Sequence, residues 1–479
     1  MANAKVINEG TLLRNVTIVS PERAAPLAQA NVIIRDGKIA EVGTDLVAGP
    51  HAKLIDGHGA FLTPGLIDSH VHVGNQGPLD DDAIEKHPEL LQAYRAQLPR
   101  SYLAFGVTTV VDLDQKPDTV AWFNAAPVHP NFCSCGRGVR IVAGYMALRP
   151  PKDTTGANGA NIVYEPGTKD WPANLDPNEY SPARAVARAR AVGAICLKTF
   201  IEPGFGGAAH WATPRSETLV ALRDEAKRQG LVFVIHANAL ESWRAALDAH
   251  ADVIAHGLWH WPGNQLEATP PPEVSDVIKA AAKAGVGVQP TLQAVYGDLS
   301  IFDKSLLNDP RLGEALPHSV IAYLRSDEGK AAQAATTNEY KQAIAQLVGK
   351  DADPFKVMSV APKRAVATVR MMSAENMKLL FGTDTPSNEG IGNPPGLNGR
   401  LEQGHLVEAG VSLSRILRAA TMDNAATFGM SDRGTIEVGK RADLLLLREN
   451  PLTTIAAYDT IETIFLNGNP IARASLLAR

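Results

Sequence analysis

The sequence predicts an α/β protein, a TIM (β/α)8 barrel plus a small β-sandwich built from both chain termini. The barrel is predicted by short apolar runs that alternate with helix-length amphipathic stretches over the middle of the chain, the pattern of a parallel sheet with crossover helices. The sandwich is predicted by the two ends, which both read as short strands and turns and neither of which buries much alone. A length of 479 residues suits one large catalytic domain with an appendage. We therefore expect residues 1–60 and 431–479 to form the sandwich and residues 61–430 the barrel.

The N-terminal strands are expected over 12–19, 30–34 and 39–42, with Asp36-Gly37 as the turn between the last two. Residues 434–439, 444–447 and 464–468 have the same texture at the other end. Eight barrel strands are expected at 66–68, 107–111, 139–143, 195–200, 231–235, 253–255, 286–288 and 379–381. Helices are expected between them, for example over 216–229, 240–249 and 273–284. The stretch from about Tyr296 to Asn376 is longer than a barrel connection needs, and its Ala-, Gln- and Lys-rich segments read as an inserted group of helices.

Hydrophobic residues make up 45% and charged residues 20%, which sets aside disorder, collagen and coiled coil. Lys plus Arg number 46 against 51 Asp plus Glu, a formal net charge of −5, so no nucleic-acid partner is expected. No apolar run is long enough to span a membrane and the first residues lack a secretory pattern, so no membrane partner and a cytoplasmic address are expected. The three cysteines, Cys133, Cys135 and Cys196, cannot supply a disulfide framework and are read as reduced thiols outside the chemistry.

The chemistry concentrates at expected strand ends. Asp68-Ser69-His70-Val71-His72 closes the first barrel strand, and side chains two apart on a strand point the same way, so His70 and His72 converge. Lys198, His236, His256 and Asp384 each end an apolar run where apolar continuation would be ordinary. Polar groups at the C-terminal ends of barrel strands build active sites, and charged and imidazole groups crowded into one cavity repel or stay unpaired unless a cation organises them. No Gly-x-Ser-x-Gly elbow offers a competing nucleophile.

These motifs resemble the amidohydrolase superfamily. The resemblance rests on Pro64-Gly65 before His70-x-His72, Lys198, His236, His256-Gly257 and Gly382-Thr383-Asp384, with flanks at 61–68 and from Ala419 to Leu444, so it covers nearly the whole chain. Gly106 to Asp112 and His236-Ala237-Asn238 look like the group containing Xaa-Pro dipeptidases, imidazolonepropionase-like enzymes and ochratoxin-type amidases. The resemblance implies two divalent metal ions, zinc by family habit. His70, His72 and Asp384 would hold the more buried ion, His236 and His256 the more exposed one, and Lys198, carboxylated by carbon dioxide, would bridge both. A lysine that loses its proton can form that carbamate, and Lys198 as an ion pair or substrate anchor at a single-ion site is the alternative. The implied reaction is attack by an activated water on a C–N amide bond, with Asp384 as general base and then general acid. Cyclic amides, ureas, carbamates and esters yield to the same attack, and a non-catalytic binding barrel is the reading from another class. A homo-oligomer is a family-level expectation.

The expected partner is a small-molecule substrate. Trp259 and the neighbouring Trp261 and Trp211 suggest an apolar or aromatic pocket, while His210 and His260 are candidates to orient the substrate. Tyr145 is a candidate donor to the tetrahedral intermediate and Arg149 a candidate for a substrate carboxylate. Many relatives carry Gly-His after the third strand, in a loop that helps choose the substrate, where this chain has Ala143-Gly144-Tyr145-Met146, so the resemblance assigns no named activity.

Overall fold

A computed structural model describes residues 5–146, 160–169, 171–205, 209–264, 266–386 and 390–479. Near the start, Thr11–Ile18, Leu27–Arg35 and Lys38–Gly43 pair antiparallel. The hairpin between the last two turns at Asp36 and Gly37, both at positive φ (50° and 75°), which is the geometry that favours Asp-Gly. At the far end, Leu444–Leu447, Ile461–Leu466 and Asn469–Ala472 pair antiparallel. The two ends meet through Phe61–Pro64, which runs parallel to Thr11–Ile18 on one side and antiparallel to Leu444–Leu447 on the other. One mixed sheet therefore holds strands from both ends of the chain, and Leu13, Ile18, Val32, Leu62, Leu444 and Phe465 bury one apolar layer of it.

The segment 434–439, expected to be extended, is a turn instead. Gly434 and Gly439 sit at φ 90° and 88°, outside the extended region, and Ile39 N–H donates to Lys440 O at 2.8 Å. The loop touches the edge strand only at its end, where Gly439 N–H donates to Ile39 O at 2.8 Å and Arg441 bridges to Lys38.

Between the ends, parallel strands alternate with helices. Leu66–Val71, Val107–Asp112 and Asn131–Ser134 form one parallel sheet. Val139–Arg140, Cys196–Phe200, Val232–His236, Val253–Ala255 and Gly287–Gln289 run through a second, which also holds Asn161–Ile162. Residues 378–385 reach both sheets. Leu380 N–H donates to Val288 O at 2.7 Å, Ser69 N–H to Phe381 O at 3.0 Å, and His72 N–H to Thr385 O at 2.7 Å. At the opposite edges, Ile195 N–H donates to Ser134 O at 3.0 Å. Helices Ser216–Arg228, Leu240–Asp248 and Pro272–Ala284 fall where amphipathic spacing puts them. Their inward residues, such as Leu222, Trp243 and Ile278, are buried against the strands.

Two further readings need correction. The third strand starts eight residues earlier than expected, at Asn131 rather than 139, and breaks at 135–138. Gly136 is at φ 67° there, and its carbonyl accepts from Gln115 N–H, so the chain leaves the ladder and returns at Val139. The cysteines are not three thiols: Cys135 and Cys196 form a disulfide, and Cys133 alone is free. Their separation of 61 residues hides the pairing in the sequence, but adjacent strands bring their Cα atoms to 4.4 Å.

After Gly287–Gln289 the chain makes a group of helices, including His318–Arg325, Asp327–Val348 and Val360–Ala374. Among the described residues, no helix is long and apolar enough to cross a membrane.

Candidate metal centre

The strand Leu66–Val71 is buried along its whole length. Asp68 anchors it: its carboxylate accepts from Thr383 Oγ1 at 2.6 Å, Thr383 N–H at 3.1 Å and His70 N–H at 3.2 Å. Those bonds bind the first strand to 378–385 and so set His70 and Asp384 side by side. Gly382 permits the approach, because a Cβ there would lie 2.7 Å from the His70 Cβ. Asp384 then sits at φ 60° with its Oδ1 3.1 Å from His70 Nε2 and 3.0 Å from His72 Nε2.

The second sheet supplies the other groups. Lys198 lies in the middle of Cys196–Phe200 and is 1% exposed, His236 ends Val232–His236, and His256 follows Val253–Ala255. The His256 ring centroid is 5.0 Å from that of His70 and 4.5 Å from that of His236. Ligand atoms of His70, His256 and Asp384 all fall within 4.8 Å of one another. His70, fully buried, has no hydrogen-bond partner on Nδ1 among the described residues, and its Nε2 meets the Asp384 carboxylate. A buried imidazole with an unmatched nitrogen, crowded against a carboxylate and two further imidazoles, is costly unless something else takes a lone pair, so this donor set fits a divalent cation.

The electrostatics agree with that fit. Burial pushes the His70 imidazole down to about 3 and holds His256 well below its ordinary value, so both rings are neutral. Burial pushes the Lys198 ammonium down to about 7. Burial alone would raise Asp384, yet the facing His70 and His72 hold it well below the usual carboxylate range.

Outside this cluster the candidate substrate residues divide. Tyr145 stacks on His236 with ring centroids 5.2 Å apart, and Trp211 packs on Tyr145 at 5.1 Å. Trp259 is buried edge-on to His256 at 5.8 Å. His260 is half-buried beside Trp259, and burial lowers it to about 4. Trp261 packs under the Arg364 guanidinium at 4.1 Å. His210 is exposed. Arg149 lies outside the described residues.

Several residues at the centre were not singled out from the sequence. Thr291 meets His256 Nδ1 at 2.8 Å, which leaves Nε2 to face the cluster. Glu202, 1% exposed, meets His236 Nε2 at 3.2 Å. Its place two residues beyond Phe200 continues the alternation of Lys198 along the strand, the one signal that would have marked it.

The comparisons with known proteins bear on this arrangement. The curated allantoinase of Bacillus licheniformis is 38% identical over 94 residues, 19% of this chain and 18% of that protein, so the match spans under a fifth of the relative. A crystal structure of a Xaa-Pro dipeptidase with bound methionine in the active site superposes with TM-score 0.63 at 17% identity, covering 96% of this chain and 99% of that one. The A. niger ochratoxinase superposes with TM-score 0.64 at 18% identity, covering 96% and 95%. At such identities the superpositions speak for the fold. The profile of the amidohydrolase family matches residues 61–471, which with the strand-end cluster of imidazoles, lysine and carboxylate means that this chain belongs to the amidohydrolase family.

Proposed function

We propose that this protein is a binuclear metal-dependent hydrolase that cleaves a C–N amide bond in a small molecule such as an N-acyl amino acid, a dipeptide-like compound or an aromatic amide. The observation that carries the reading is the buried cluster of His70, His256 and Asp384, whose ligand atoms all lie within 4.8 Å of one another. The parallel strands read as one closed eight-stranded barrel, supported by the bonds from 378–385 to both sheets and from Ile195 to Ser134. Residues 61–430 are then the catalytic unit and the two ends its companion.

His70, His72 and Asp384 would hold one ion, His236 and His256 the other, and Lys198 would bridge them as a carbamate. Zinc suits these nitrogen and oxygen ligands. Bound divalent ions lower the pKa of water and polarise a carbonyl oxygen. Lys198 is suited to its role because a share of its amine is neutral near pH 7, the form that captures carbon dioxide. Asp384 Oδ1, between two imidazoles, is placed to take a proton from water and hand it to the leaving nitrogen. Tyr145 and Trp211, on the His236 side, would line an apolar substrate pocket.

The test is release of free amino groups from N-acyl amino acids, Xaa-Pro dipeptides and aryl amides, with zinc-loaded protein and a chelated control. Turnover of one class that vanishes with chelator is the expected result. Two bound ions with no turnover on the panel would redirect the reading to cyclic amides, ureas, carbamates or esters. No bound ion and no turnover would overturn it in favour of a binding protein.

A further inference from the structure

Glu202 stands just beyond the strand that carries Lys198, and no part of the proposed hydrolysis uses it. Its carboxylate is divided between two tasks. Oε1 accepts the backbone N–H of Gly204 at 2.7 Å and of Phe205 at 2.6 Å, which fixes the side chain to its own loop. Oε2 is thereby left aimed at His236 Nε2, 3.2 Å away, in a site where Glu202 is 1% exposed. An ionised carboxylate offers only acceptors, so the proton of that bond belongs to His236 Nε2. A neutral imidazole with its proton on Nε2 keeps its lone pair on Nδ1.

We infer that Glu202 is a positioning residue that locks His236 in the tautomer whose Nδ1 is free to bind a divalent cation, an inference that rests on the metal-centre reading above. The second ring contact of His236 agrees: Tyr145 stacks on the face of the imidazole at an interplanar angle of 28°, so ring tilt and ring tautomer are set by different neighbours. Oxygen partners on the far nitrogen of a ligating histidine orient the ring and raise its basicity, and losing them commonly lowers metal affinity by about 10–100-fold.

The substitution Glu202→Gln isolates the effect because it keeps shape and removes charge. The two backbone donors require the Gln oxygen where Oε1 was, which turns its amide NH2 toward His236. That donor demands an acceptor on Nε2 and moves the imidazole proton to Nδ1, the wrong nitrogen for the ion.

Metal-stripped wild type and Glu202→Gln would be titrated with zinc against a chromogenic chelator, and the melting of both metal-free forms recorded by circular dichroism. The same pair would be repeated in a His236→Ala background. We expect the weaker zinc affinity to drop about 10–100-fold in Glu202→Gln, unchanged melting of the metal-free form, and no further loss once His236 is absent. Wild-type affinity in Glu202→Gln would overturn the inference while leaving the metal centre standing. So would a fall in metal-free melting, which marks a structural prop, or an equal loss in the His236→Ala background. A wild type that binds no zinc would overturn the metal-centre reading and this inference with it.

Discussion

At the scale of single residues, the centre is made by side chains whose partners are unusual for their burial. Asp384 is the group whose removal separates chemistry from folding. Asp384→Asn keeps shape but cannot accept a proton, so turnover should fall by about 10²–10⁴-fold with an unchanged circular dichroism spectrum. Unchanged hydrolysis would sink its proton-transfer role. Glu402, away from the centre, offers a pH prediction. Its carboxylate accepts from Gln293 N–H at 2.6 Å, and burial pushes it from its ordinary 4.5 up to about 8. A carboxyl raised in the folded chain keeps a proton that the unfolded chain releases. Its contribution is therefore complete below pH 4.5 and is lost as pH climbs toward 8, by about 1.4 kcal/mol per pH unit within that window. Urea midpoints of wild type should fall over this range relative to Glu402→Gln, and parallel profiles would count against it. The histidines, Lys198 and Asp384 were legible in the sequence because each interrupts an apolar run. Thr291 and Glu202 were not, because a threonine or a glutamate in a loop is ordinary until the histidine it faces is known.

At the scale of elements, a thinly bonded seam in the parallel strands lies between Asn131–Ser134 and Cys196–Phe200. The third strand breaks at Gly136, and its return at Val139 pairs with the next strand through Thr199 alone. The Cys135–Cys196 disulfide crosses this seam, and Cys196 is two residues from Lys198. Replacing both cysteines with alanine should destabilise the protein by about 2–4 kcal/mol in urea unfolding, the usual worth of such a cross-link. Three reactive thiols in the denatured, unreduced protein would show that the bond is absent. The elements themselves were largely readable: the Asp36-Gly37 hairpin and the helix Ser216–Arg228 follow from turn chemistry and periodicity. The strand at Asn131 was missed because Asn131-Phe132-Cys133-Ser134 is too short to display an alternation, and 434–439 was misread because β-favouring residues lie between two glycines at positive φ.

At the scale of the whole molecule, the candidate ligands come from segments more than 300 residues apart, since His70 and Asp384 share one contact across the chain. An ion held by both ties those segments together. Zinc added to stripped protein should raise its melting temperature, by an amount equivalent to about 2.7 kcal/mol at a hundredfold excess over Kd, and chelator should reverse it. A melting curve indifferent to zinc would contradict a shared site. The alternation of strands and helices, the strand-rich ends and the ligand-type residues at strand ends could be read from the amino acids, because periodicity and turn preference act over a few residues. Packing alone brings 378–385 into bonds with both parallel sheets, Cys135 to Cys196, Glu202 to His236 and His70 to Asp384. Those facts depend on distances between residues far apart in the chain, and such distances exist only once the apolar faces have packed.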